Sequence, residues 1–519
     1  MSASREKKLR QDQTASGYVD PKAEKELEEK KAEKRSNVLY SVIAVLFVLV
    51  VAASFLWRSN VISRNATLTI DGEKYSAAEV NFYYQNVYRG FLQSNSYFIS
   101  YLGLDTNASL KSQTVNATAA SMMGVEEGSS WHDYIMDNTV KQMTMIQRGL
   151  KQAQEEGYQF PASVQEQYED SLNSLKTSAE STGMSVKAYL QRNLGAIMTE
   201  KVYNQQVLRM LQYQAYAQSY SDSLTYTDAE LEAAYQADPK TYDKAAWEYV
   251  VVSGAADSTT DADGNTVQAT DEEQAAAKET AKATAEEILA AYNSGKSLES
   301  IAGNYEKATY YNTTDATYYD GVVGNWLFDD ARKDGDTEIL EVGTSYYVSL
   351  FHSRGREEYK TVDIRHILIT PETGTKAQGD EGYEDEQTQL KAAARTKAEE
   401  ILAQWKSGEA TEDSFAQLAL ENSADGSKYD GGLYTRVTKG WAVEEFNDWC
   451  FDASRKDGDT GIVDTTYGSH VMYFVGYDLP AWAASVTSDL QEKAASEWST
   501  ALSENADVQQ SDFGMKFVG

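Results

Sequence analysis

The longest apolar stretch of the chain lies near its start. From Val38 to Trp57 the sequence VLYSVIAVLFVLVVAASFLW runs for 20 residues without a charged side chain, enough to cross a hydrocarbon layer of roughly 30 Å as a helix. Four Lys and Arg residues crowd positions 30–35, and only Arg58 and Arg64 follow closely. The positive-inside rule therefore predicts a single transmembrane helix over 38–57, with residues 1–37 as a cytoplasmic tail. A cleaved signal peptide is less well supported, because a 37-residue tail precedes the apolar run.

Beyond this run, the apolar spacing first predicts a strand and then mostly helices. Alternating residues before Asp71-Gly72 read as a strand and a turn, followed by an amphipathic helix rich in Tyr and Phe. Helical spacing dominates residues 131–220, and Thr227 with Glu230 forms a capping-box pattern. After Pro480 the pattern predicts one more helix.

A short closing strand is predicted over residues 513–518. It would follow the last predicted helix in the chain.

An internal repeat organises the second half of the chain. Residues 285–295 (AEEILAAYNSG) and 398–408 (AEEILAQWKSG) agree at 8 of 11 positions, and residues 326–337 and 449–460 agree at 9 of 12. Matched positions lie 113 and 123 residues apart. Each copy begins with a β-branched run, continues with a polar insert and an Ala/Glu-rich helix, and ends in another β-branched run. The repeat predicts two tandem α+β domains.

Charge and cysteine content narrow the chemistry. The whole chain has a net charge of −33, and the part after the tail holds 37 Lys and Arg against 72 Asp and Glu, a net charge of −35. Such a field repels nucleic acid, and it favours cationic clients or simply solubility. Because Cys450 is the only cysteine, no intrachain disulfide and no cysteine-based zinc site is expected. We expect no metal and no cofactor.

The second repeat carries a set of motifs that are specific in combination. These are RHILI with His366, the NSAD segment ending at Asp425, GGL at Gly431–Leu433, Phe446 followed by CFD, and TTYGSHV with Thr465 and His470. With these motifs the second repeat resembles the parvulin family of peptidyl-prolyl isomerases. Nearly everything after residue 65 is similar to extracytoplasmic foldases of the SurA and PrsA type.

The resemblance implies a site. His366, His470, Thr465 and Asp425 would be the catalytic residues, with the imidazoles linked to each other and to Thr465 and the carboxylate facing the substrate carbonyl. The proline pocket would be formed by apolar and aromatic side chains, namely Leu433, Phe446, Trp441 and Leu368. Ala442 stands where many parvulins carry Met, so the pocket is wider or is filled by Trp441. Tyr434 replaces the commoner Gly-Trp after GGL.

The first repeat departs from this pattern. The counterparts of the two histidines and of the pocket phenylalanine are Tyr249, Tyr347 and Val323, and no GGL or Ser-x-Asp segment is present. We predict that this copy is catalytically inert. A tyrosine cluster in the equivalent region would suit an aromatic peptide-binding groove or be ordinary surface and core: Tyr310, Tyr311, Tyr318 and Tyr319.

Together these patterns predict an α+β protein with one transmembrane helix, a helical chaperone body and two tandem parvulin-like domains. The predicted divisions are a body at 58–241 completed by 480–519, a degenerate domain at 242–356 and an isomerase domain at 357–479. The implied function is isomerisation of X-Pro bonds in exported polypeptides at the cell membrane, with most of the chain outside the cytoplasm.

Two other interpretations stay open: a holdase that binds unfolded exported chains without catalysis, and a structural membrane protein that scaffolds partners. The expected partners are unfolded or partly folded exported polypeptides and the membrane, through one helix. Nucleic acid is not an expected partner, and a homodimer is compatible with the sequence.

Overall fold

The structure, a computed structural model, describes residues 66–260 and 264–519. The predicted tail at 1–37 and the predicted transmembrane helix at 38–57 lie outside these residues. Within the described part of the chain, no helix is both long and apolar enough to cross a bilayer. The chain divides into two compact units: the first holds the described residues up to 154 together with 170–210 and 502–519, and the second holds 155–169 and 211–501.

The first unit is mainly helical and contains one small antiparallel sheet with the strand order β13-β1-β2. Its strands are β1 (Ala66–Ile70), β2 (Glu73–Ser76) and β13 (Val508–Gln510). The helices that begin in this unit or pass through it are α1 (Ala77–Ser94), α2 (Ala117–Met123), α3 (Trp131–Glu155), α4 (Ala162–Ser181), α5 (Val186–Leu194) and α6 (Glu200–Ser223). Two short 3₁₀ turns lie at Leu110–Ser112 and Gly514–Phe517.

Local sequence explains the start of this unit. Asp71 and Gly72 both have positive φ, 48° and 84°, which is the backbone that a two-residue hairpin turn needs. Ser76 and Glu79 form a reciprocal capping box that starts α1. The predicted closing strand at 513–518 is wrong: this segment contains a 3₁₀ turn, and the strand lies earlier, at β13, where it pairs with β1.

The second unit contains two βα modules, here called the first module (residues 244–355) and the second module (residues 360–480). The strands of the first module are β3 (Lys244–Val252), β4 (Thr259–Thr260), β5 (Thr266–Val267), β6 (Ala308–Ala316), β7 (Thr337–Val342) and β8 (Ser345–Gly355). Those of the second module are β9 (Lys360–Ile369), β10 (Leu433–Val437), β11 (Thr460–Thr465) and β12 (Gly468–Pro480). The two four-stranded sheets have equivalent orders, β6-β3-β8-β7 and β10-β9-β12-β11.

The helices of the second unit follow the same repeat. Those of the first module are α9 (Asp271–Asn293), α10 (Leu298–Ala302) and α11 (Val322–Leu327). Those of the second module are α12 (Tyr383–Ser407), α13 (Glu412–Asn422) and α14 (Glu444–Cys450), with a 3₁₀ turn at Gly426–Asp430. The modules are flanked by α7 (Asp228–Ala237), α8 (Pro239–Tyr242) and α15 (Ala481–Ser503). The predicted capping box is present at the start of α7.

The sheet of the second module has two differently packed faces. Ile367 and Val471 belong to a core that includes residues of α12 and α13, whereas Ile364 and Met472 belong to a core that includes Phe446 of α14. Because successive side chains of a strand alternate between faces, His366 and His470 share the face that carries Phe446. The fold therefore places both predicted imidazoles next to the predicted proline pocket.

Candidate active site

Two histidines lie side by side on neighbouring strands of the second module. His366 of β9 is paired in register with Met472, and His470 of β12 with Leu368. The two Nδ1 atoms are 3.0 Å apart, and the rings lie 5.3 Å apart, nearly parallel at 18°. Only 3% of His366 and 6% of His470 are exposed. The structure thus brings the two predicted imidazoles into direct contact, away from solvent.

Both imidazoles continue into a longer chain of hydrogen bonds. Nε2 of His470 lies 2.9 Å from Oγ1 of Thr465, and Nε2 of His366 lies 3.3 Å from Oδ1 of Asp425. Burial, together with the nearby His366, lowers the pKa of His470 to about 4. A contact between two Nδ1 atoms needs one protonated and one unprotonated nitrogen.

One assignment of ring protons satisfies every link. Thr465 donates to Nε2 of His470, and His470 donates from Nδ1 to Nδ1 of His366. The Nε2–H of His366 then faces Oγ of Ser427 and Oδ1 of Asp425, each 3.3 Å away, and Ser427 in turn donates to Asp425. The chain of hydrogen bonds runs in a single direction, with one ring proton on each imidazole. It fixes both tautomers and ends on the carboxylate.

Asp425 receives several donors on a single oxygen. Its Oδ1 accepts from the backbone N–H and the hydroxyl of Ser427, at 2.8 and 2.5 Å, and from the hydroxyl of Tyr434 at 2.9 Å. The hydrogen bond from His366, reinforced by those from Ser427, holds the pKa of Asp425 well below its usual range. Oδ2 has no hydrogen-bond partner among the described residues, and a quarter of the side chain is exposed. Asp425 is therefore ionised and keeps one oxygen free for a substrate.

The glycines of the GGL motif let the segment that carries Asp425 approach the histidine strand. The N–H of His366 donates to the carbonyl of Gly432 at 2.9 Å. A Cβ at Gly432, where φ is +73°, would overlap the backbone oxygen of His366 and lie 3.1 Å from Cβ of Ala419. Only glycine fits there without displacing β9.

Aromatic rings surround the histidine pair. Phe446 presents its ring nearly perpendicular to both imidazoles, at centroid distances of 5.5 Å to His366 and 5.3 Å to His470. Trp441 lies 4.7 Å from Tyr434 and 6.3 Å from Phe446. Phe446 is only 4% exposed, whereas Trp441 is 50% exposed. The ring that a client can reach without rearrangement is therefore Trp441, and Phe446 lies behind it.

The remaining predicted pocket residues lie close by. Leu368 is buried on β9, on the same face as His366. Leu433 is half-buried at the start of β10 and lines a cavity on this side of the module. Ser427 is absent from the predicted site, and Tyr434 enters the prediction only as a departure from the family pattern. An Asp followed two residues later by Ser is a local pattern for side-chain capping, and it was available as a signal for Ser427.

The fold and the site define the class of this domain: a four-stranded sheet with a buried histidine pair, a carboxylate and an aromatic wall is a parvulin-type peptidyl-prolyl isomerase domain. Residues 348–475 match the PPIC-type PPIase domain family. The chain therefore contains such a domain, and the resemblance predicted from the motifs is confirmed for it.

Other known proteins are similar over parts of the chain. Foldase protein PrsA 1 of Listeria innocua is 29% identical over 142 residues, which cover 26% of this chain and 39% of that relative's length. The crystal structure of PrsA from Bacillus subtilis covers 75% of this chain and 93% of its own, at 12% identity and a TM-score of 0.27. Peptidylprolyl isomerase PrsA from Bacillus anthracis covers 31% of this chain and 60% of its own, at 20% identity and a TM-score of 0.18.

Proposed function

We propose that this protein is a membrane-anchored extracytoplasmic foldase whose second module catalyses cis/trans isomerisation of X-Pro bonds in exported polypeptides. The observation that carries the proposal is the continuous chain of hydrogen bonds from Thr465 through His470 and His366 to Asp425. The carboxylate at its end is ionised and partly exposed. Such a chain holds one charged oxygen in a fixed position beside an apolar wall.

The reaction requires no nucleophile. Rotation about a peptide bond meets a barrier of about 18–20 kcal/mol because resonance places partial double-bond character on C–N, and uncatalysed X-Pro exchange takes tens to hundreds of seconds. No covalent bond breaks. A catalyst must hold the prolyl ring, keep water from the amide and favour the twisted amide over the planar one.

Asp425 is suited to the electrostatic part of this task. In the planar amide, resonance gives the carbonyl oxygen extra negative charge, and twisting the C–N bond removes it. A fixed carboxylate oxygen beside that carbonyl repels the planar form more strongly than the twisted one. We assign this role to Oδ2 of Asp425, because Oδ1 is held by the protein.

The aromatic wall is suited to the binding part. A prolyl ring is apolar and flat enough to pack against an aromatic face. In this proposal the ring first meets Trp441 and reaches Phe446 when Trp441 swings aside. Ala442 leaves room for this movement, because it carries only a methyl group where many parvulins have Met.

The membrane anchor and the clients are proposed from other parts of the chain. The apolar run at 38–57 supports membrane anchoring with the rest of the chain outside the cytoplasm. The helical first unit supports an added chaperone activity on unfolded exported chains. The alternative is a holdase that binds such clients without catalysis, and the near-complete burial of Phe446 is the observation that favours it.

The test is isomerisation of a neutral prolyl tetrapeptide by the full-length chain, followed together with aggregation of an unfolded client protein. Acceleration of the cis/trans exchange at catalytic amounts of the chain supports the foldase. Suppressed aggregation with exchange at the uncatalysed rate makes the protein a holdase. If the chain neither accelerates exchange nor suppresses aggregation, even at stoichiometric excess, both proposed activities fail and the scaffold interpretation remains.

A further inference from the structure

A cavity of about 990 Å³ lies beside the catalytic residues and has no role in the mechanism above. Here it is called the flanking cavity. Its walls come from the end of α6 and the segment after it, from the Gly426–Arg436 region, from the end of β12 and from α15, and all of them belong to the second unit. This volume is at the upper end of the roughly 300–1,000 Å³ typical of pockets that enclose a ligand.

The flanking cavity shares its wall with the catalytic site. Ser427 and Tyr434 line it, and both donate hydrogen bonds to Oδ1 of Asp425. Leu433, which the resemblance assigns to the proline pocket, lines it as well. A polypeptide whose prolyl bond lies at Asp425 therefore has this cavity as an adjacent place for its neighbouring residues.

The wall is negatively charged. Asp222, Asp430 and Asp478 line the cavity against a single cationic side chain, that of Arg436. The guanidinium of Arg436 donates to Oε1 of Gln491 at 2.9 Å, and Gln491 in turn donates to the carbonyl of Leu224 at 3.0 Å. The backbone N–H of Arg436 donates to Oδ1 of Asp363 at 2.7 Å. Among the described residues, the Arg436 guanidinium forms no ion pair with the three carboxylates of the cavity wall.

Two of the carboxylates repel each other. Partial removal of water from Asp430, together with the negative charge of the nearby Asp222, raises the pKa of Asp430. A cation placed between them would relieve this repulsion. The described residues contain no group of three or more acidic, His or Cys side chains arranged to hold a metal ion, so the geometry favours a flexible side-chain cation over a bound metal.

We propose that the flanking cavity is the client subsite for residues next to the isomerised proline, and that it selects segments carrying Lys or Arg there. The inference rests on the proposed function, since it assigns a client preference to the same domain. The part of the chain after the tail has a net charge of −35, and this negative field would attract basic clients to the surface. The cavity would then bind preferentially those clients whose Lys or Arg lies next to the proline.

The test uses the full-length chain and three prolyl hexapeptides that differ only in the residues flanking the X-Pro unit: Lys, Ala or Glu. We expect kcat/KM for the Lys peptide to exceed that for the Glu peptide by about tenfold at low salt, and the ratio to shrink as salt screens the charges. In the double variant Asp222→Asn with Asp430→Asn, the ratio should fall to about twofold, with the Ala peptide as the reference for each protein.

A matched control removes two negative charges elsewhere. Glu272→Gln with Glu286→Gln changes two exposed carboxylates of α9 in the first module and should keep the wild-type ratio. An unchanged ratio in the Asp222/Asp430 variant, or an equal loss in the control, would overturn the proposal.

A second measurement separates failure of this inference from failure of the proposed function. If the chain accelerates exchange in none of the three peptides, the isomerase proposal fails, and the flanking cavity is then tested by Kd alone, from fluorescence anisotropy of the same labelled peptides. Tighter binding of the Lys peptide that is lost in the Asp222/Asp430 variant supports the cavity as a binding site for basic segments. Equal binding of the Lys and Glu peptides contradicts it.

Discussion

Tyr249 and Tyr347 occupy in the first module the places that His366 and His470 occupy in the second. In each module the first residue of the pair lies opposite a residue two positions beyond the second: Tyr249 opposite Ser349, and His366 opposite Met472. The tyrosine rings stack at 5.6 Å and 8°, the imidazoles at 5.3 Å and 18°. The fold keeps a stacked pair of rings at this position whether or not the rings can relay a proton.

The difference between the modules lies in what surrounds the pair. In the second module, Asp425 lies immediately before the 3₁₀ turn at Gly426–Asp430. The glycine pair of the GGL motif follows this turn and leads into β10. In the first module β6 is nine residues long, with a register shift against β3 between Thr313 and Ala316, and Tyr311, which pairs with Tyr249, stacks on it at 4.9 Å. Asp315 of β6 accepts a hydrogen bond from the hydroxyl of Thr313 at 2.6 Å, and among the described residues no carboxylate is hydrogen-bonded to either tyrosine of the pair.

The two modules differ in local backbone as much as in the two side chains of the pair. Stacked rings between neighbouring strands are a packing solution, and both modules use it. Among the described residues, two consecutive glycines with positive φ precede the short strand only in the second module. We attribute the predicted inertness of the first module to the lack of such a glycine pair before β6.

The largest effect on stability is expected from adding a side chain at Gly432, in the glycine turn before β10. Gly432→Ala should lower the free energy of unfolding by about 3 kcal/mol or more, because the added methyl group overlaps the His366 backbone at a positive φ. Urea unfolding measures the change. Gly440→Ala is the matched control: its φ is +77°, yet no atom lies within 4 Å of the added Cβ, so its cost should be about 1 kcal/mol. Equal costs would show that the close approach is unimportant.

The next largest effect is expected from acidification, which should lower the free energy of unfolding because His470 is buried as a neutral imidazole. The pKa of His470 is lowered from 6.5 to about 4 in the folded protein, so below pH 6.5 the unfolded chain binds a proton that the folded chain does not. The stability contributed by neutral His470 is complete above that pH and falls by about 3 kcal/mol as the pH drops to 4.

Urea unfolding at about pH 7 and about pH 4.5 measures this loss in the wild type and in His470→Asn, which should lack it. His352→Asn, at a half-exposed histidine of the first module, serves as the control and should retain it. A wild-type loss no larger than that of His470→Asn would contradict the assigned burial.

The smallest effect is expected from copying the histidines into the first module. Tyr249→His with Tyr347→His, made in a chain whose second module is silenced by Asp425→Asn, should restore no isomerisation of a prolyl tetrapeptide. The reason is that, among the described residues, no carboxylate is hydrogen-bonded to this pair, and Asp315 of β6 is bonded to Thr313 instead. Circular dichroism confirms that the variant is folded. Recovery of more than about a tenth of the wild-type rate would show that two imidazoles suffice and that the turn is dispensable.

Much of this site could be predicted because its signals are local. The β-branched runs around His366 and His470 and the paired glycines at 431–432 are visible in the sequence. Aligning the two repeats shows that the first module lacks the two histidines and the glycine pair. The partners of Asp425 were harder to find. The hydroxyl of Tyr434 reaches it only through the strand register of β10 on β9.

The misplaced closing strand has a similar cause. Short apolar runs such as residues 513–518 do not distinguish a strand from a turn by periodicity. The strand forms instead at Val508–Gln510, where a neighbouring strand edge is available for pairing with β1. The contact between Trp441 and Phe446 likewise depends on the loop before α14, for which the sequence offers no periodic signal.

The most direct measurement is kcat/KM for cis/trans exchange of a neutral prolyl tetrapeptide, compared between the full-length wild type and Asp425→Asn. The substitution keeps the shape of the side chain, removes its charge and replaces one carboxylate oxygen with an NH2 group. We expect a loss of about 100-fold, with Asp413→Asn, at an exposed carboxylate of the same module, matching the wild type. A rate for Asp425→Asn within about twofold of the wild type would contradict the claim that a fixed charge at the end of the histidine chain drives the rotation.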